Sequence, residues 1–247
     1  MPFCEEGIQS VVRIRPDFDF GLHFCLTSGR PVASPEQVSL LLDSQGMFRY
    51  GFYDLWKLSR NPEVMRQIKI ELEAQWNRAV EILSPLHCRI QHFDSHQHIH
   101  AIPAIFDLAA KKSQEEHVRI RVPVEEFGSI KRVFHRFFYW FPKGFIKREI
   151  LKYFSRNIPV ELRKVHYIGI LDSGKMSDHA WQEILRAWPT DILQEITVEV
   201  NIHPATSYQL ENYHDKLICS ADDRKFWGSV NRVHEYDAIF RLPEMFF

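Results

Sequence analysis

Cys88-Arg89-Ile90-Gln91-His92-Phe93-Asp94-Ser95-His96-Gln97-His98-Ile99-His100 is the stretch on which the reading of this 247-residue chain turns. Its first six residues are bounded by Pro85 before and a polar cluster after, which suits a strand, and residues 101–112 read as a helix. A histidine-rich turn between the two lies at the carboxyl end of a strand, where α/β sheets put their sites. In an extended segment His96, His98 and His100 would project to one face, with neighbouring Cα atoms roughly 6.6 Å apart. Neutral imidazole is the commonest side-chain metal ligand, and Asp94-Ser95 is placed to orient a ring through its second nitrogen. The plain alternative is three histidines decorating a loop.

Outward from that stretch the pattern alternates strands and helices. Residues 18–26 mix alternation with apolar content, as a strand does, until Thr27-Ser28-Gly29-Arg30-Pro31 breaks it. From Asn61-Pro62 a helix is signalled by the Asn cap, Pro at the first position, and Val64, Ile68, Leu72, Trp76 and Val80 at spacing four. Further strands are expected at 118–122, 166–171 and 196–201, and Ser177 caps a helix running to Trp188 before Pro189. Such alternation implies a largely parallel sheet, because parallel neighbours need crossover connections. About five strands are visible, with no internal repeat or low-complexity linker.

At this length, with 45% apolar residues, a single domain over 1–247 is expected. The net charge of −1 gives no global reason to expect a nucleic-acid partner. Cys4, Cys25, Cys88 and Cys219 are widely separated, without a C-x-x-C pair, as reduced thiols in a cytosolic protein are. No apolar run approaches the roughly 18 residues that span a bilayer, and the N-terminus has no signal-peptide pattern; a soluble, cytoplasmic protein is expected. One segment stands apart: 131–156 sets Lys131, Arg132, Arg136, Lys143, Lys147, Arg148 and Lys152 among seven aromatics between Phe134 and Phe145. It reads either as a basic surface for membrane or nucleic acid, or as two helices split near Pro142 whose aromatics cover the fold or a homodimer partner.

Metal ligation by the triplet needs donors from elsewhere. His23, in Gly21-Leu22-His23-Phe24, is a candidate, although a lone histidine on an apolar strand also serves as a core residue. His203, in Asn201-Ile202-His203-Pro204, ends the last strand, where the proline marks the exit.

Several of these stretches, in the same order, resemble the carbohydrate deacetylase family typified by the YdjC and chitooligosaccharide-deacetylase proteins. Gly21-Leu22-His23-Phe24-x-Leu26-Thr27-x-Gly29-x-Pro31 resembles its G-[LM]-H-x-x-L-T-x-G-x-P block, and Asp94 to His100 its D-x-H-x-H-x-H block. Val118-Arg119, Gly169 to Gly174, and Glu199 to Pro204 are weaker matches. The resemblance implies a distorted TIM-like (β/α) barrel, with about seven strands in the family, that removes N-acetyl groups from amino sugars or chitooligosaccharides using a divalent metal. Family precedent points to magnesium, while histidine and carboxylate ligation is compatible with zinc.

Carried over residue by residue, the resemblance assigns metal ligation to His23 and His96, and substrate-side roles to His98, His100 and Asp94. His203 and Arg119 take the catalytic positions, stabilising an oxyanion or protonating the leaving amine. Family members begin with a strand ending in an Asp-Asp pair, which supplies a metal ligand and the general base. That unit is missing before His23, so a chain short of one βαβ unit is expected. Two other readings stay open: a catalytically inactive member that binds sugar or is structural, and a metallohydrolase acting on phosphoesters or other amides.

Overall fold

The computed structural model describes residues 4–125, 143–163, 165–187, 197–213, 225–226 and 228–246. The chain divides into two compact units, Met1–Arg121 and Val122–Phe247, each built from parallel strands joined by helices.

In the first unit α1 (Cys4–Ile14) precedes β1 (Phe20–Phe24), α2 (Phe52–Leu58) and the long α3 (Pro62–Leu83), followed by β2 (Ile90–Ser95), α4 (Pro103–Glu115) and β3 (Arg119–Ile120). The sheet order is β1-β2-β3, with His23 in register with Asp94 and Phe24 with Ser95. A parallel β1–β2 pair needs a long crossover, and α3 supplies it. Its start is fixed as the sequence signals: the Asn61 side chain accepts from the amides of Glu63 and Val64, and Pro62 presets the first turn.

Val64, Ile68, Leu72 and Trp76 are buried, whereas Val80 is 42% exposed and Leu83 is buried further on. A row spaced by four advances about 400° per step, so it drifts by about 40° and leaves the core within a few turns. Gly21 answers a packing demand, since a Cβ there would run into the His92 ring on β2. Phe24 and Phe93, ring centroids 6.1 Å apart, fill the layer beneath the helices.

The second unit contains α5 (Lys143–Phe154), β4 (Val165–Ile168), α6 (Asp178–Ala187), β5 (Thr197–Val200), α7 (Ser207–Tyr213) and α8 (Asn231–Phe246). β4 and β5 pair in parallel, and Ile168, Met176, Ala180, Trp181, Ile184 and Ala238 form the core under them. The Ser177 carbonyl accepts the Trp181 amide at 3.0 Å, the first turn of α6. Gly169, at φ 122°, is required where β4 ends, because a Cβ would lie 2.6 Å from the Asn201 carbonyl. Of the basic–aromatic segment, α5 is described, and it buries Leu151 and Arg148 while Tyr153 is exposed; residues 131–142 lie outside the described residues.

The fold is thus mixed α/β with short parallel sheets, and the five strands fall within a residue or a few of where the alternation puts them. Among the described residues the strands form a three-stranded and a two-stranded sheet and close no barrel.

Candidate functional site

β1 and β2 run side by side, so their carboxyl ends bring His23 next to Asp94. His23 Nδ1 lies 2.6 Å from Asp94 Oδ1, and the Arg121 guanidinium pairs with Oδ2 of the same carboxylate. Burial alone would push the Asp94 carboxyl up. The hydrogen bond from His23 and the charges of His23 and Arg121 outweigh it and hold the carboxyl well below the usual range. An ionised carboxylate only accepts, so His23 Nδ1 carries the proton, which leaves Nε2 of a ring that is 45% exposed to face a ligand. The His96 ring stands edge-on to it, centroids 5.8 Å apart.

The histidine triplet does not stay extended. After Ser95 the backbone turns through Gln97 (φ 54°) and His98 (φ 59°), both left-handed, at a cost of about 1–2 kcal/mol each. His100 holds the turn in place. Its backbone amide donates to Ser95 Oγ at 2.9 Å and its Nε2 lies 2.9 Å from the Arg121 carbonyl. A carbonyl can only accept, so Nε2 carries the hydrogen and Nδ1, 2.5 Å from Ser95 Oγ, accepts the hydroxyl. Burial drives the His100 pKa down to about 4 against the opposing pull of Asp94, which keeps the ring neutral. Fully buried and bonded at both nitrogens, His100 pins the turn rather than facing a substrate, and His98 is also buried.

The guanidinium that the structure brings to this cluster is that of Arg121, not of Arg119. Arg119 is exposed on β3, in register with His92. The signal was present in Val118-Arg119-Ile120-Arg121-Val122: the strand ends at Ile120, so Arg121 is the arginine at its carboxyl end. His203 belongs to the second unit, at the exit of β5, with its ring edge-on to Phe226 at 5.0 Å.

As a metal set the first-unit cluster fits in part. His23 Nε2 and the neighbouring His96 ring have the chemistry of two imidazole donors, and Asp94 orients one of them. Among the described residues no group of three or more histidine, cysteine or carboxylate side chains gathers into a metal set. No helix among them is long and apolar enough to cross a membrane.

A family model described as YdjC-like protein matches residues 1–241. A carbohydrate deacetylase of Thermoanaerobacter pseudethanolicus is 32% identical over 155 residues, 61% of this chain and 59% of that protein. One of Xenopus laevis is 29% identical over 254 aligned positions, 93% of this chain and 76% of its own length. A chitooligosaccharide deacetylase of Proteus mirabilis is 32% identical over 121 residues, 47% and 44% of the two chains. The matched stretch therefore spans 59% of the first of these relatives. A crystal structure of an Enterococcus faecalis protein, described provisionally as a cellobiose-phosphate cleavage protein, superposes with a TM-score of 0.53 at 18% identity, covering 97% of this chain and 80% of the other. At that identity the likeness is one of fold.

Proposed function

Because this chain belongs to the YdjC-like protein family, we propose that it is a carbohydrate deacetylase that hydrolyses the N-acetyl group of an amino sugar or chitooligosaccharide. The observation that carries the reading is the Arg121–Asp94–His23 chain of charges ending in an accessible imidazole nitrogen, beside His96. Curated relatives named as carbohydrate deacetylases support the reaction class. The proposal includes the family's distorted TIM-like barrel, supported by the parallel strand order. A cytoplasmic setting is supported by the wide spacing of the four cysteines, which carry no C-x-x-C pair.

In this reading His23 and His96 would hold a divalent ion, magnesium by family precedent or zinc by donor chemistry. Such an ion supplies Lewis acidity toward the acetamide carbonyl. The hydroxyl of water joins the acetyl carbon as the C–N bond breaks and the remaining hydrogen of the water passes to the nitrogen, giving acetic acid and a free amine. Asp94, held ionised by His23 and Arg121, keeps the His23 proton on Nδ1, and Ser95 and His100 hold the turn that carries His96. By its place at a strand end, His203 is the residue we assign to protonate the departing amine.

Acetate release from N-acetylglucosamine oligomers, measured with bound-metal content on the wild type, His23→Ala and His96→Ala, tests the reading. Loss of both metal and acetate release in the two variants is expected, and acetate release indifferent to His96 would overturn it.

A further inference from the structure

His203 is held by its own peptide groups on both sides. Its amide donates to Glu235 Oε2 at 2.6 Å, and its carbonyl accepts from Arg232 Nε at 2.8 Å. The two side chains sit three residues apart on α8, on adjacent turns of one face. Arg232 also donates through Nη2 to the Pro204 carbonyl at 3.2 Å, and its own carbonyl accepts the Ala205 amide at 3.0 Å. The second oxygen of Glu235 accepts the Met176 amide at 2.9 Å, so one carboxylate ties the loop leaving β4 to the loop leaving β5.

Glu235 is wholly buried. Burial pushes its carboxyl up against the pull of the two amides and Arg232, and the Asp172 charge pushes it up further. An apolar side chain there would leave the Met176 and His203 amides without their acceptor, so the carboxylate serves to fix those two peptide groups. Fixing both peptide planes of a residue fixes its Cα–Cβ direction, and for His203 the edge-on Phe226 ring then bounds where the imidazole can turn.

We propose that Glu235 and Arg232 are positioning residues that set the His203 imidazole, and through it the proton transfer to the leaving amine. The catalytic half rests on the role given to His203 above; the clamp itself is geometric.

The test is carried out on the full chain with Glu235→Gln and Arg232→Lys, and with His203→Gln to assign the His203 ring signals in the nitrogen–carbon NMR spectrum and to report its own turnover. Expected are shifted His203 ring and amide signals in both clamp variants. Also expected are a kcat for chitooligosaccharide deacetylation about tenfold to a hundredfold lower, and a KM near wild type. Should Glu235→Gln not fold, Arg232→Lys, which keeps the charge and loses the fork, is read in the same way. His203 signals unmoved in the folded variants overturn the clamp whatever the activity. Signals that move while kcat stays at wild type in these variants and in His203→Gln uphold the clamp and overturn the reaction role of His203.

Discussion

Asp94→Asn would take the Asp94 charge away from the Arg121 guanidinium, which is only 11% exposed, and would let the His23 ring choose either tautomer. Breaking one side of a buried pair costs about 3–5 kcal/mol, and losing the carboxylate behind a ligating histidine costs about 10–100-fold in metal affinity or activity. Denaturant unfolding and acetate release check the two halves separately. His100 gives a pH dependence of definite sign. Its folded pKa, about 4, lies below the ordinary 6.5, so its contribution is complete above 6.5. As the pH falls from there toward 4 the unfolded chain takes up a proton that the folded one refuses, and stability drops by roughly 3 kcal/mol. His100→Asn should flatten the denaturant midpoint across that window. At this scale the sequence marked His23 and His96 through their motifs and strand-end positions. It did not mark the left-handed turn at Gln97-His98, which lacks a glycine or any other local signal and is held by Ser95 and Arg121 from outside it.

Among the elements, α3 does more than cover the sheet. Gln67, Glu71 and Gln75, one turn apart, line the loop that leaves β1. Gln67 accepts the Leu40 amide, Glu71 the amides of Val32 and Ala33, and Gln75 bonds both backbone groups of Cys25. Glu71→Ala should therefore cost about 1–3 kcal/mol, the penalty for an amide left buried without an acceptor. It should also speed hydrogen exchange at Val32 and Ala33 while the far-ultraviolet signal of α3 is kept. The helix itself was legible, because Asn61-Pro62 and the apolar row are local features. The loop contacts were not legible, nor was the grip of Glu235 and Arg232 on His203. A polar residue at helical spacing looks alike whether it faces water or a distant peptide group. Val80 shows the converse: a row of spacing four reads as one stripe on paper and rotates out of the core on the helix.

For the molecule as a whole, the family match over residues 1–241 and the parallel order of every described strand agree on an α/β scaffold. A ligand that binds only the folded chain raises its stability by mass action, about 2.7 kcal/mol at a hundredfold excess over Kd. Magnesium or zinc should accordingly raise the melting temperature of the wild type and leave that of a His23→Ala/His96→Ala double variant unmoved, as read by calorimetry. The β1–β2 register also bears on how the chain acquires a site at all. His23 and Asp94 meet across 71 residues of sequence, and closing a loop of that length costs roughly 4 kcal/mol of chain entropy before any strand hydrogen bond repays it. Helices α3 and α4 are local and form early, whereas this pairing is non-local and slow. In refolding, the helical signal should recover first and the His23–Asp94 pairing last, so a newly made chain would pass through a helical stage in which His23 and Asp94 exist but have not yet been brought together.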